Sequence, residues 1–95
     1  MGRITWQPAK GVQQGIGTVG TAAQQVADVD AAAFLIMAES GNSGTIFVGN
    51  SAVTTSDGYP RTSTEELEIT AKPKDVYVVG SAAGQVYRWL AVDIT

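Results

Sequence analysis

Hydrophobic positions along this chain come in short runs, broken about every ten residues by Gly, Pro, Asn or Ser, a spacing of strands and turns rather than of helices. The clearest run is Glu65 to Thr70, where Leu67 and Ile69 alternate with Glu66, Glu68 and Thr70, the period-two pattern of a strand with one wet face. Ala31 to Glu39 (AAAFLIMAE) holds good helix formers, but it is short and ends at Ser40-Gly41-Asn42-Ser43-Gly44, so length selects a strand. Phe34 and Ile36 on one face, and Leu35 and Met37 on the other, predict cover on both sides. The Gly/Asn/Ser turn leads into Thr45 to Gly49 (TIFVG) and predicts a hairpin. In the last run, Gln85 to Ile94, Val86, Leu90 and Val92 alternate with Tyr87, Trp89 and Ala91, interrupted by Arg88. Both faces of that strand are apolar, and a thin sandwich covers only one unaided.

Thr18 to Val29 reads as a first strand with an irregularity at Gly20. Asn50 to Thr64 reads as a long loop, in which Asp57-Gly58 suits a tight turn and Pro60 excludes a central strand. Lys72-Pro73-Lys74-Asp75 turns the chain into Val76 to Val79, and Gly80-Ser81-Ala82-Ala83-Gly84 turns it into the last strand. Before all of these, Gly2, Pro8, Gly11, Gly15 and Gly17 punctuate a polar stretch in which Ile4 and Trp6 are the large apolar residues before Val12. The expectation is an all-β fold, a small β-sandwich or jelly-roll-like barrel, with an extended N-terminal arm over residues 1–17 and a single β-sandwich domain over 18–95. A chain of 95 residues is too short to bury two cores.

Composition narrows the function. With 44% hydrophobic and only 16% charged residues, little charge keeps the surface solvated, so surface concealed by oligomerisation or docking is expected. The net charge is −3 and the six basic residues are scattered singly, which gives no Lys/Arg stripe to displace counterions from a phosphate backbone. Nucleic acid is not an expected partner. The longest apolar run, Ala31 to Ala38, falls far short of the ~20 residues of a membrane span, so no membrane partner is expected. MGRITWQPAKG has no apolar stretch of signal-peptide length, and synthesis in a cytoplasm is the expectation. The absence of cysteine and histidine removes disulfides, thiol chemistry, imidazole ligands and the commonest general base. Neither enzymatic activity nor a cofactor or metal is expected.

Four constellations of residues could carry chemistry. Gly15 to Gly20 (GIGTVG) spells G-x-G-x-x-G, but no strand precedes it and no helix follows, so it reads as part of the Gly-rich arm. Asp28, Asp30 and Glu39, or Asp57 with Glu65, Glu66 and Glu68, could offer oxygen ligands or a carboxylate pair, yet lack calcium-loop spacing. The three glutamates suit a solvated strand edge. Ser51, Ser56 and Ser81 have no histidine to activate them. The aromatic residues Trp6, Tyr59, Tyr77, Tyr87 and Trp89 suit core packing, a protein interface or a sugar-stacking platform.

Three segments, IFVGNSAVTTSDGYP (Ile46 to Pro60), ELEI (Glu66 to Ile69) and VYVVGSAAGQVYRWL (Val76 to Leu90), together resemble small virion structural proteins of tailed bacteriophages. AQQV (Ala23 to Val26) and the strand at Ala33 to Ala38 fit the same layout more loosely. The resemblance implies a capsid decoration or cement role on a virion, with synthesis in a bacterial host cytoplasm. Its implied partner is the major capsid protein or another virion protein, clamped by a homotrimer. A tail, baseplate or head-fibre component, and a carbohydrate-binding β-sandwich module, are the alternatives. Ile4 and Trp6 are the candidate partner-binding residues of the arm, and Phe47, Tyr59, Tyr87 and Trp89 the candidate partner or subunit interface. One departure stands out: where the pattern has a Gly just before the Glu-x-Leu strand, this chain has Arg61-Thr62-Ser63-Thr64.

Overall fold

Period-two alternation resolves into two four-stranded antiparallel sheets in the computed structural model, which describes residues 11–92. The strands are β1 (Val12–Val19), β2 (Gln24–Gln25), β3 (Ala33–Ala38), β4 (Ile46–Gly49), β5 (Tyr59–Arg61), β6 (Glu66–Ile69), β7 (Tyr77–Gly80) and β8 (Gln85–Val92). The first sheet runs β1-β8-β3-β6 and the second β2-β7-β4-β5. The fold is a small all-β sandwich, as the run lengths imply.

Alternate residues of each strand supply the core. Val19, Phe34, Ile36, Ala38, Tyr87 and Ala91 face inward from the first sheet, against Ile46, Val48 and Val78 of the second. Leu67 and Ile69 of β6 lie opposite Ile36 and Phe34 and complete the inner face at the sheet edge.

The structure departs from four of the sequence expectations. The arm over residues 1–17 does not extend that far, because Val12–Val19 is a paired edge strand whose register against β8 places Gly15 opposite Trp89 and Gly17 opposite Tyr87. A Cβ on Gly15 would meet the Trp89 indole at 2.8 Å, and one on Gly17 would overlap the phenol end of the Tyr87 ring. These glycines are the space into which two cross-strand aromatics fit, a β pairing in which the ring shields its glycine partner. The expected first strand over Thr18 to Val29 is likewise split: β1 ends at Val19, and Gln24–Gln25 belongs to the second sheet.

The hairpin expected between Ala31–Glu39 and Thr45–Gly49 does not form, because β3 and β4 lie in different sheets. The Asn42 side chain holds the chain back at this turn. Its Nδ2 donates to the Val86 carbonyl at 2.8 Å and its Oδ1 accepts from the Val86 N–H at 2.7 Å, so it mimics a strand partner for β8. The buried Gln85 amide then accepts from the Gly44 N–H at 2.7 Å and steers the chain into the second sheet.

The stretch expected as one loop, Asn50 to Thr64, contains β5, a short edge strand with Pro60 at its centre. Its first part folds over the outer face of the second sheet, where the Val53 side chain lies against Gly49 and Gly58, and Gly58 against Phe47. Its last part carries a local conflict. Thr64 has φ 66, a left-handed conformation in a β-branched residue, held by its N–H to the Ala38 carbonyl at 2.8 Å.

Two outcomes test these readings by urea denaturation. Gly17→Ala destabilises by about 1–3 kcal/mol through overpacking, whereas Gly20→Ala, with open space around its added Cβ, changes stability by less than about 0.5 kcal/mol. Thr64→Gly, which relieves the left-handed strain, raises stability by about 1 kcal/mol.

Candidate interaction surface

The outer face of the first sheet is built by the residues of β1, β8 and β3 that alternate with the core set. Across it, Val12 lies opposite Val92, which lies opposite Ala33. The next row sets Gln14, Leu90, Leu35 and Glu68 side by side, and the next Ile16, Arg88, Met37 and Glu66. Val12 and Ile16 are 62% and 60% exposed, Leu90 and Val92 39% and 38%. Leu35, Leu90 and Val92 line a shallow groove of about 220 Å³. An apolar centre is thus flanked on one side by the glutamates of β6, the anatomy of a protein-binding patch.

Arg88 is the charge at the centre of this face. Its Nε donates to Glu39 Oε2 at 2.7 Å, and this bond, helped by the Ser40 N–H, holds the Glu39 carboxyl below its ordinary range. Both groups are partly exposed, so the pair adds little stability. Its local effect is to neutralise the one cation among the apolar side chains.

The second sheet differs. Phe47 and Val79 face outward, but the Asn50–Gly58 segment covers that side and leaves Phe47 half-buried and Val79 buried. Leu35 and Met37, for which cover was expected, stay half-exposed because no loop of the described residues crosses the first sheet.

The aromatic candidates separate by depth. Tyr87 is a core residue, not a surface one. Its ring is 1% exposed, and its hydroxyl donates to the Val26 carbonyl at 2.7 Å and accepts from Gln24 Nε2 at 3.4 Å. Burial pushes the Tyr87 phenol up, against a smaller opposing effect of the Gln24 amide. Trp89 also points inward and packs on the core beside Gly15. Tyr59 is 53% exposed at the β5 edge, but the Arg61 guanidinium lies 4.9 Å from its ring centroid and takes one face of it. Ile4 and Trp6 lie outside the described residues. Val12 and Ile16, the most exposed large apolar side chains described, were absorbed into the expected arm, although Val12, Ile16 and the glycines between already carry an even-position and odd-position pattern.

Four of the candidate carboxylates are engaged, Asp57 and Glu65 in turns and Asp30 and Glu39 in ion pairs. Asp57 accepts from the Thr54 N–H at 2.8 Å and hydroxyl at 3.0 Å, which holds its pKa down. Glu65 does the same for the Thr62 N–H at 2.9 Å. Asp30 is drawn down by Lys72, 3.1 Å away, and by Lys74. Among the described residues no group of three or more acidic side chains is placed to hold a metal ion.

No protein-family model, curated protein or solved structure matches this chain. The surface itself therefore carries the argument.

The burial of the Tyr87 phenol has a pH signature. A phenol whose folded pKa is raised stabilises the fold below its unfolded value, and that contribution is lost as pH rises through the folded value. Tyr87→Phe leaves the buried Val26 carbonyl without its donor and costs about 1–3 kcal/mol at neutral pH. Urea midpoints taken across pH 7–11 should fall less steeply above about pH 10 in the variant than in the wild type.

Proposed function

We propose that this chain is a virion structural protein of a tailed bacteriophage, a decoration or cement subunit that binds the major capsid protein shell and acts without catalysis. The observation that carries the reading is the apolar face of the β1-β8-β3-β6 sheet, centred on Leu90 and Val92, which no other segment of the described residues covers. Removing such surface from water stabilises a contact by about 25 cal/mol per Å² of apolar area. The acidic rim of Glu66 and Glu68 sets orientation through charge more than affinity. The resemblance of Ile46–Pro60, Glu66–Ile69 and Val76–Leu90 to phage virion proteins supports a virion partner. Of the carboxylates offered for chemistry, Asp57 and Glu65 accept backbone N–H groups and Asp30 and Glu39 pair with cations, which favours a binding role over hydrolysis.

The sugar-binding reading has less to stand on. Among the described aromatics only Tyr59 is strongly exposed, and Arg61 already stacks on it. A tail, baseplate or head-fibre position would use the same face on a different partner, and imaging of labelled particles would separate it from the head.

The test is rebinding to particles of the encoding phage assembled without this chain. Purified wild-type chain should coat the heads to saturation. Leu90→Glu, which alters a partly exposed position and leaves the fold within about 0.5 kcal/mol of wild type, should lose at least tenfold in apparent affinity. Wild-type chain that ignores the particles, or Leu90→Glu that binds as well as wild type, refutes the reading.

A further inference from the structure

Backbone hydrogen bonding divides β1 into two sets of residues. The Glu39 N–H donates to the Val86 carbonyl at 3.0 Å, which points the backbone groups of Val86, and by alternation those of Arg88, Leu90 and Val92, toward β3. Tyr87, Trp89 and Ala91 therefore bond to β1, through Gly17, Gly15 and Gln13. The N–H and C=O groups of Val12, Gln14, Ile16 and Thr18 point the other way, along an edge that no strand of the described residues pairs with.

The other three sheet edges are blunted. β2 is two residues long. β5 has three residues, with Pro60 in the middle, and the Pro60 carbonyl accepts from Arg61 Nε at 2.6 Å. β6 carries Glu66 and Glu68, and Arg61 Nη1 donates to the Glu66 carbonyl at 2.9 Å. Short length, proline, charge and capped carbonyls all keep an edge from pairing. β1 has none of them: it is eight residues long, without proline and without charge.

We propose that β1 pairs antiparallel with β1 of a second copy of this chain about a two-fold axis at Gly15, so that two four-stranded sheets become one. The proposal rests on the reading of this sheet as an assembly surface and names its first partner. Head-to-tail association would need β1 to meet a different edge of the next copy, and those edges are blocked, so β1 is left to meet itself. In a chain of net charge −3, β1 is also a strand where two copies approach without like charges facing each other.

The register follows from the two sets. With Gly15 on the axis, Val12 lies opposite Thr18 of the partner subunit and Gln14 opposite Ile16 of the partner subunit. All four outward-pointing residues then sit at hydrogen-bonded positions, for about eight bonds between subunits. The paired Gly15 residues occupy the closer, non-bonded position, where the Trp89 ring already fills the inner side. The two outer faces become continuous, and a subunit with two linked patches gains avidity from weak individual contacts.

Light scattering of the full chain at two concentrations should show the mass of two chains at the higher one. Amide exchange followed by NMR should slow at least tenfold at Gln14, Ile16 and Thr18 as the dimer forms, with Gln13, Gly15 and Gly17 protected throughout. Ile16→Pro removes an N–H that β8 does not use and should abolish the dimer with the β1–β8 ladder intact. Gln14→Lys, which leaves the backbone unchanged, should do the same by placing charge at the contact. Leu90→Glu lies on β8, away from that edge, and should remain dimeric while losing particle binding, so the two ideas fail separately. A trimer mass, or a dimer indifferent to both β1 variants, overturns the proposal. So does a monomer at every concentration, and one with Gln14, Ile16 and Thr18 already protected would put the chain's own residues 1–10 on the edge.

Discussion

The sandwich depends on a ring laid across a gap. Tyr87 sits opposite Gly17, fills the volume that a side chain there would take, and reaches the segment beyond β2 through its hydroxyl bond to the Val26 carbonyl. One residue thereby joins the edge strand, the centre of the first sheet and the connection to the second. A buried hydroxyl is tolerated only because that acceptor is waiting for it. Trp89 repeats the arrangement two residues on against Gly15, so β1 is held by aromatic rings where its own sequence offers no inner side chain.

Given that frame, the two outer faces follow different courses. The second sheet spends its longest connection on itself, with Val53 pressed between Gly49 and Gly58 over the Phe47 side. The first sheet has only short connections nearby, and its outer apolar residues stay in water. Arg61 closes the flank where β5 and β6 lie, with one guanidinium donating to carbonyls of both strands. The opposite flank, at β1, has no such clamp among the described residues. The asymmetry sets an open face and an open edge on the same sheet.

Much of this could be read from residue order, and the failures have physical reasons. Leu67 and Ile69 were legible because their neighbours are charged, leaving one way to turn the strand. The surplus apolar face was legible from β8, where Val86, Leu90 and Val92 oppose Tyr87, Trp89 and Ala91. The hairpin failed because Gly, Asn and Ser report that the chain turns, not which sheet it enters; that was decided by Asn42 and Gln85 bonding to residues about forty positions away. Gly15 and Gly17 were read as flexibility because a glycine that makes room for a distant ring has the same letter as one that lets a loop bend. Of the aromatic site candidates, Tyr87 and Trp89 go inward for that same reason, since each fills the space left by a glycine of the strand opposite.

The proposed pairing would give low charge and glycine content a single explanation. An edge strand that must accept another strand cannot carry lysine, glutamate or proline, and β1 carries none. An outer face that must bury itself cannot be salted with charges, and its one arginine is matched by Glu39. Glycines at alternate inner positions let the neighbouring strand's rings support β1 while its outward amides stay unobstructed. A chain selected only to remain monomeric would have no use for this combination, because one charge on β1 would protect the edge at little cost to the core. Among the described residues, the edge at β1 is left open beside three protected edges, and the proposed pairing accounts for that asymmetry.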